Sequence, residues 1–251
     1  MLPKNLLFKR DPVKLFSILF PRLTREEALS FLISQVKEKQ GCSVCFPDMS
    51  TLNLAAVDPK ISALIENSFL PLNDGAGLEL AARLKRLPFL ENLNGTDFIP
   101  EFLSLLPQES KIYLVGSKRD VAAKTLEVFK NQYPLLHFLG ASHGYLSEEE
   151  EKILIANLIK QKPNIVLVGM GNPLQLQWIQ KTRNHPDLSS VIWLAVGGLF
   201  DFYGGSRPRA PMWMRRARLE WLHIVWNQPE KVLRYFAGIP KFLWYCCTAD
   251  R

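Results

Sequence analysis

The sequence has no uninterrupted apolar run of the roughly 18 residues that a membrane-spanning helix needs. Its first residues do not read as a secretory signal, because Lys9, Arg10 and Asp11 interrupt the apolar start. Cysteine is scarce: four residues, as Cys42/Cys45 and the adjacent Cys246/Cys247. Cys42-x-x-Cys45 has the spacing of a redox pair or half a zinc site. No second Cys-x-x-Cys or His-x-His completes it, so the thiols read as reduced and structural, which suits the cytoplasm. Two nucleotide signatures are missing as well. There is no Gly-Lys-Ser/Thr phosphate loop, and Gly169-Met170-Gly171 lacks the third glycine of a dinucleotide fingerprint. Nucleoside triphosphate hydrolysis and NAD(P) oxidoreduction are therefore disfavoured, although backbone N–H groups at a helix N-terminus can still hold a diphosphate.

What the chain does have is 47% hydrophobic and 22% charged residues over 251 positions, enough for one large domain or two small lobes around a real core. The net charge of +7 is uneven: from Gly205 to the end, nine Lys or Arg face three acidic residues. Those cations are interleaved with Trp213, Trp221, Trp226, Phe242 and Trp244. Such a segment suits an interface, with aromatics at headgroup level and cations against anionic lipid. The competing reading is a docking helix whose aromatics complete the core and whose arginines are merely solvated. A nucleic-acid partner is not expected, since no binding motif accompanies the charge.

In chain order, residues 1–20 look like a loosely specified lead-in. Thr24 and Glu27 then form a capping-box pattern that opens a helix. A short strand is expected over Cys42–Phe46, followed by helices near Leu52–Val57 and Lys60–Asn67. Between Phe69 and Leu84 lies Pro71-Leu72-Asn73-Asp74-Gly75-Ala76-Gly77, one carboxylate on a glycine-flexed turn ahead of a helix. Read locally, Asp-Gly is a turn signal, and Asp74 either caps the helix or acts on a ligand as a base. After Asn94-Gly95, Thr96 or Asp97 is a candidate cap, and Pro100 fits the first helical turn. From there the pattern is regular, with strands at 112–116, 135–140, 165–169 and 191–196. Helices at 120–132, 148–161 and 176–183 separate them.

This βαβαβ alternation, with uniformly apolar strands, implies a mostly parallel sheet covered by helices on both faces. Ligands bind such sheets beyond the carboxyl ends of the strands. The expected ligand shelf therefore carries Gly116, Gly169, Gly171, Asn172, Gly197 and Asp201.

Ten ordered elements carry a more specific signal. They are Leu23-Thr24-Arg25-Glu26-Glu27-Ala28, Asp58-Pro59, Leu72-Asn73-Asp74-Gly75-Ala76-Gly77, Asn94-Gly95-Thr96-Asp97 and Leu114-Val115-Gly116. After these come His143-Gly144-Tyr145, Gly169-Met170-Gly171-Asn172-Pro173-Leu174-Gln175, Gly197-Gly198-Leu199-Phe200-Asp201-Phe202, Arg209-Ala210-Pro211 and Leu219-Glu220-Trp221-Leu222. With these elements the chain, from about residue 18 to the end, resembles the WecG/TagA/CpsF family of bacterial glycosyltransferases. The resemblance implies an α/β fold with a mostly parallel, Rossmann-like sheet. It also implies two lobes (about 18–105, and a nucleotide-binding lobe of about 106–204) and a basic, aromatic, helical appendage over 205–251. The activity implied is inverting transfer of N-acetylmannosamine, its uronate or a related hexose from a UDP-sugar donor to a polyprenyl-diphosphate-linked sugar acceptor. It is expected to need no metal or other cofactor and to take place at the inner face of the cytoplasmic membrane. Self-association is compatible with it.

By the same resemblance Asp74 is the general base, and Gln175 belongs to the active-site pocket. Lys231 and Arg234 match basic positions of an appendage that closes over it. Asp48, Asn92 and Thr96 complete the substrate-binding candidates. The chain departs from the family pattern at several of these places. Phe46-Pro47-Asp48 replaces Thr-x-Asn, Asn92 replaces an arginine, Leu174-Gln175-Leu176 replaces Lys-Gln-Glu, and Ile224 replaces another arginine. These changes imply either a different donor or a catalytically weakened scaffold that binds UDP or polyprenyl lipid.

Overall fold

A computed structural model describes residues 7, 9–208, 210–211, 213–214, 222, 238–242 and 244–246. Its first element corrects the reading of residues 1–20 as a lead-in. Strands β1 (Val13–Leu15) and β2 (Ile18–Phe20) pair antiparallel, with Val13 opposite Phe20. Val13, Leu15, Ile18 and Phe20 are buried while Lys14 and Leu19 face out, an alternation too short to stand out in the sequence.

Six further strands make one entirely parallel sheet: β3 (Cys42–Cys45), β4 (Leu70–Pro71), β5 (Lys111–Gly116), β6 (His137–Ser142), β7 (Ile165–Gly169) and β8 (Ile192–Ala195). Their order across the sheet is β4-β3-β8-β7-β5-β6. Thus β8 inserts between β3 and β7, and the segments 18–105 and 106–204 share a single sheet.

The central strands are buried on both faces because helices cover both. Ile112, Leu114, Ile165, Leu167, Ile192 and Leu194 pack on one side with Phe102, Phe129 and Phe200. The alternate residues Tyr113, Val115, Val166, Val168 and Trp193 pack on the other with Trp178 and Ile179. A period of two along each strand divides the core into these two layers.

The helices are α1 (Arg25–Lys37), α2 (Met49–Ala55), α3 (Pro59–Glu66), α4 (Ala76–Leu84), α5 (Gly95–Ser104), α6 (Arg119–Gln132), α7 (Glu148–Gln161), α8 (Leu174–Arg183) and α9 (Leu199–Tyr203). The Thr24/Glu27 capping box opens α1 as the sequence predicts. The cap of α5 differs from expectation. Asn94, not Thr96 or Asp97, accepts from the Asp97 amide, so the helix starts earlier and Pro100 lies inside it.

Residues 238–242 and 244–246 are helical and return to the N-terminal half. Phe242 is fully buried, with its ring 6.1 Å from that of Phe16, and the Asn53 side-chain amide donates to the Gly238 carbonyl at 3.0 Å. Phe242 and Cys246 thus complete the core, whereas Trp213 and Trp244 stay 65% and 62% exposed. Among the described residues no helix is long and apolar enough to cross a membrane.

Candidate active site

Because all six strands run the same way, their carboxyl ends share one edge. The chain leaves β5 toward β6 in one direction and β7 toward β8 in the other, which makes the β5/β7 junction the topological switch point. The backbones there are too close for side chains. A Cβ on Gly116 would lie 2.3 Å from the Gly169 carbonyl oxygen, and the Ser117 amide donates to that oxygen at 2.8 Å. Gly144, after β6, donates to the Ser117 carbonyl at 2.9 Å, so the β5, β6 and β7 loops form one ledge. Gly171 and Gly197 have positive φ, +76° and +55°, and face open space where a side chain would project.

Asp201 ties this ledge to the loop after β8. It accepts from the Ser117 hydroxyl at 2.8 Å and pairs with Arg207 at 3.3 Å. No sequence motif assigns Ser117 or Arg207 a role; their only signal is adjacency to Gly116 and to the Gly-Gly-Leu-Phe-Asp stretch. His143 stands in the His-Gly-Tyr stretch that follows β6. Its Nε2 lies 3.0 Å from the Arg119 guanidinium and 3.6 Å from Glu150, whose carboxyl is held below its usual range chiefly by hydrogen bonds from Ser147.

Side-chain caps are missing from several helices that follow strands at this edge. Helices α4, α6 and α8, which follow β4, β5 and β7, have no side-chain hydrogen bond at their N-caps. In α1, α2, α3, α5 and α7, Thr24, Asp48, Asp58, Asn94 and Ser147 cap with their side chains, and of these α2 and α7 also follow sheet strands, β3 and β6. The first turn of α6, with no side-chain cap at Lys118, presents backbone N–H donors and the positive helix end to an anion, whereas in α8 the Gln175 and Leu176 amides already donate to the Gly171 and Pro173 carbonyls at 3.0 Å.

Asp74 follows β4 at the other end of the edge, three strand positions from β7, or about 14 Å at ordinary strand spacing. It is partly buried and stands immediately before Gly75, the N-cap of α4. The neighbouring 91–93 segment straps its turn. The Asn73 side chain, 2% exposed, donates to the Glu91 carbonyl at 2.9 Å, and the Leu93 amide donates to the Asn73 carbonyl at 3.1 Å. The Asn92 side chain accepts from the Gly75 amide at 3.1 Å, while Arg25 holds the Asn92 carbonyl at 3.0 Å.

The remaining expected site residues divide between bracing roles and residues the structure does not describe. Asp48 caps α2, accepting from the Thr51 amide at 2.8 Å and the Thr51 hydroxyl at 2.6 Å. Thr96 donates to Asn94 at 2.9 Å. Gln175, 2% exposed, uses both ends of its amide on the protein, donating to Asn172 at 2.8 Å and accepting from the Gly197 amide at 3.0 Å. Leu176 is buried in the core rather than facing a ligand. Lys231 and Arg234 lie outside the described residues. No group of three or more His, Cys, Asp or Glu among the described residues is placed to hold a metal ion. Burial pushes the free thiols of Cys42 and Cys45 up to about 12, which makes them poor ligands and nucleophiles at neutral pH.

The edge therefore offers a carboxylate on a braced turn and, across the sheet, a ledge with open glycine turns at Gly171 and Gly197 and uncapped helix ends. Comparison with known proteins gives this arrangement a family. The chain is 30% identical over 209 residues to the N-acetylglucosaminyldiphosphoundecaprenol N-acetyl-beta-D-mannosaminyltransferase of Bacillus subtilis (strain 168), covering 82% of this chain and 79% of that one. The enzyme of the same name from Bacillus spizizenii is 27% identical over 190 residues, 75% of this chain and 72% of the relative. That of Staphylococcus aureus (strain MW2) is 26% identical over 201 residues, 80% and 77% respectively. The model of the glycosyl transferase WecG/TagA/CpsF family matches residues 13–251, and the chain belongs to that family of glycosyltransferases.

Proposed function

We propose that this protein is an inverting, metal-independent glycosyltransferase. It moves N-acetylmannosamine, its uronate or a related hexose from a UDP-sugar to a polyprenyl-diphosphate-linked sugar. The names of the relatives, which transfer N-acetylmannosamine to an N-acetylglucosaminyl diphosphoundecaprenol, support the sugar and acceptor classes. The observation that carries the reading is the pairing, on one sheet edge, of the strapped Asp74 turn with a ledge of uncapped helix N-termini and open glycine backbone.

In this reading Asp74 takes the proton from the acceptor hydroxyl, whose oxygen attacks the anomeric carbon from the face opposite the leaving group. The bond from that carbon to the diphosphate oxygen breaks, and UDP departs with the electron pair. Backbone N–H groups at the start of α6 and the positive N-terminal end of α8, with Arg207 nearby, meet the developing charge in place of a cation. Gly116, Gly169, Gly171, Asn172, Gly197 and Asp201 shape the donor ledge. Asp48, Asn92, Thr96 and Gln175 position the loops around the reacting sugars, and Lys231 and Arg234 close over them. Exposed Trp213 and Trp244 hold the chain peripherally at the inner face of the cytoplasmic membrane, where a lipid-linked acceptor resides.

The test is a matrix of UDP-sugars against polyprenyl-diphosphate-linked sugar acceptors, with UDP release and product anomer as readouts and parallel reactions in EDTA. Transfer with inversion that EDTA leaves intact is the expected result. UDP binding by calorimetry with no turnover for any pair would instead support the scaffold reading.

A further inference from the structure

A single-file hydrogen-bond chain crosses the carboxyl edge of the sheet and joins the two halves of the site. The Gly197 amide donates to Gln175 Oε1 at 3.0 Å, and Gln175 Nε2 donates to Asn172 Oδ1 at 2.8 Å. Asn172 Nδ2 donates to Thr51 Oγ1 at 2.9 Å, and Thr51 Oγ1 donates to Asp48 Oδ1 at 2.6 Å. The two ends fix its direction. A backbone N–H only donates and an ionised carboxylate only accepts, so each amide between them has one orientation and the Thr51 hydroxyl spends its only proton on Asp48. Thr51, 3% exposed, is the one side chain through which the β3–α2 segment meets the β7 and β8 loops in this chain of bonds.

We propose that Thr51 is a positioning residue for the donor. It touches no substrate. Through Asn172 and Gln175 it holds the two open glycine turns, Gly171 and Gly197, in place on the ledge. This rests on the functional reading above and adds to it a residue that no sequence motif marked. It also gives Asp48 a part at the site: its carboxylate is the sink of the chain as well as the cap of α2.

Thr51→Val in the full-length chain removes the hydroxyl while leaving the Thr51 backbone amide to keep the α2 cap. Hydrogen exchange at the Gly197 amide is expected to quicken at least about tenfold while core amides keep their protection. UDP Kd by calorimetry and donor KM are expected to rise about tenfold, with acceptor KM within about twofold. Thr51→Ser, which keeps the hydroxyl, is expected to restore all three. Should Thr51→Val lower protection throughout the core, Thr51→Ala and Thr51→Ser are compared instead, with the same expectations. Unchanged exchange at Gly197 in Thr51→Val overturns the relay, and unchanged UDP affinity overturns its role in donor binding. The exchange measurement needs no substrate, so a wild-type chain that binds no UDP overturns the donor assignment above without touching the relay.

Discussion

Asn92 accepts a hydrogen bond from the Gly75 amide at 3.1 Å and so clamps the residue after Asp74 in a backbone conformation, φ +91°, that glycine tolerates best. At this position the family pattern has an arginine, and the substitution first looks like the loss of a cation. The structure shows that the shorter side chain is occupied in setting the turn. Asn92→Ala is therefore expected to lower kcat by about tenfold or more while costing roughly 1 kcal/mol of stability. Steady-state kinetics beside urea denaturation separates the two effects.

Asp74→Asn keeps the size of the side chain and removes its basicity. Transfer is expected to fall by about 10²- to 10⁴-fold, the usual worth of a general base, with the melting temperature nearly unchanged. Activity within a few-fold of wild type would exclude Asp74 as the base.

Glycines on the ledge should respond differently to alanine. At Gly116 the new Cβ meets a backbone carbonyl at 2.3 Å, and neither strand can yield without breaking the sheet. A loss of about 3 kcal/mol or more is expected. At Gly171 there is room, and the cost is only that of holding alanine at φ +76°, about 1 kcal/mol. Chemical denaturation of the two variants tests the contrast.

Glu27 pairs with Arg10 at 2.8 Å, and this bond, with the amide of Thr24, holds its carboxyl below the ordinary value. A carboxylate lowered on folding stabilises the native state above its unfolded pKa of about 4.3. That contribution is lost as pH falls through the lower folded value. Glu27→Gln should accordingly be less stable than wild type at pH 7, and the gap should close as the pH drops below about 4. Urea midpoints measured across that range check the sign.

Membrane binding needs a subtler test than deleting the C-terminal segment, because Phe242 belongs to the core and its removal would uncover Phe16. Substituting serine at both Trp213 and Trp244 leaves that packing in place. Co-sedimentation with anionic vesicles is expected to drop at least about fivefold, with thermal stability within about 1 kcal/mol of wild type. Vesicle binding equal to wild type would overturn the membrane role proposed for Trp213 and Trp244.

The sequence by itself determined the elements and their class. Each central strand is a contiguous apolar run because it is buried on both faces, and α1 carries its own punctuation in the Thr24/Glu27 box. The glycine-bearing strand ends marked the ledge, and the ordered motifs singled out Asp74 where the local pattern read only as a turn. β1 and β2 escaped because three residues of alternation carry little signal. Asn94 escaped as a cap because its neighbours Thr96 and Asp97 cap as readily. Only the tertiary structure decided what holds the site. The clamp of Asn92 on Gly75 joins residues 17 positions apart, and the bond from Asn172 to Thr51 joins residues 121 apart. Local propensity and hydrophobic period report on a residue's near neighbours. A polar contact across the edge of a parallel sheet depends instead on strand order, which here sets β8 between β3 and β7 and brings Thr51, Asn172 and Gly197 within reach of one another.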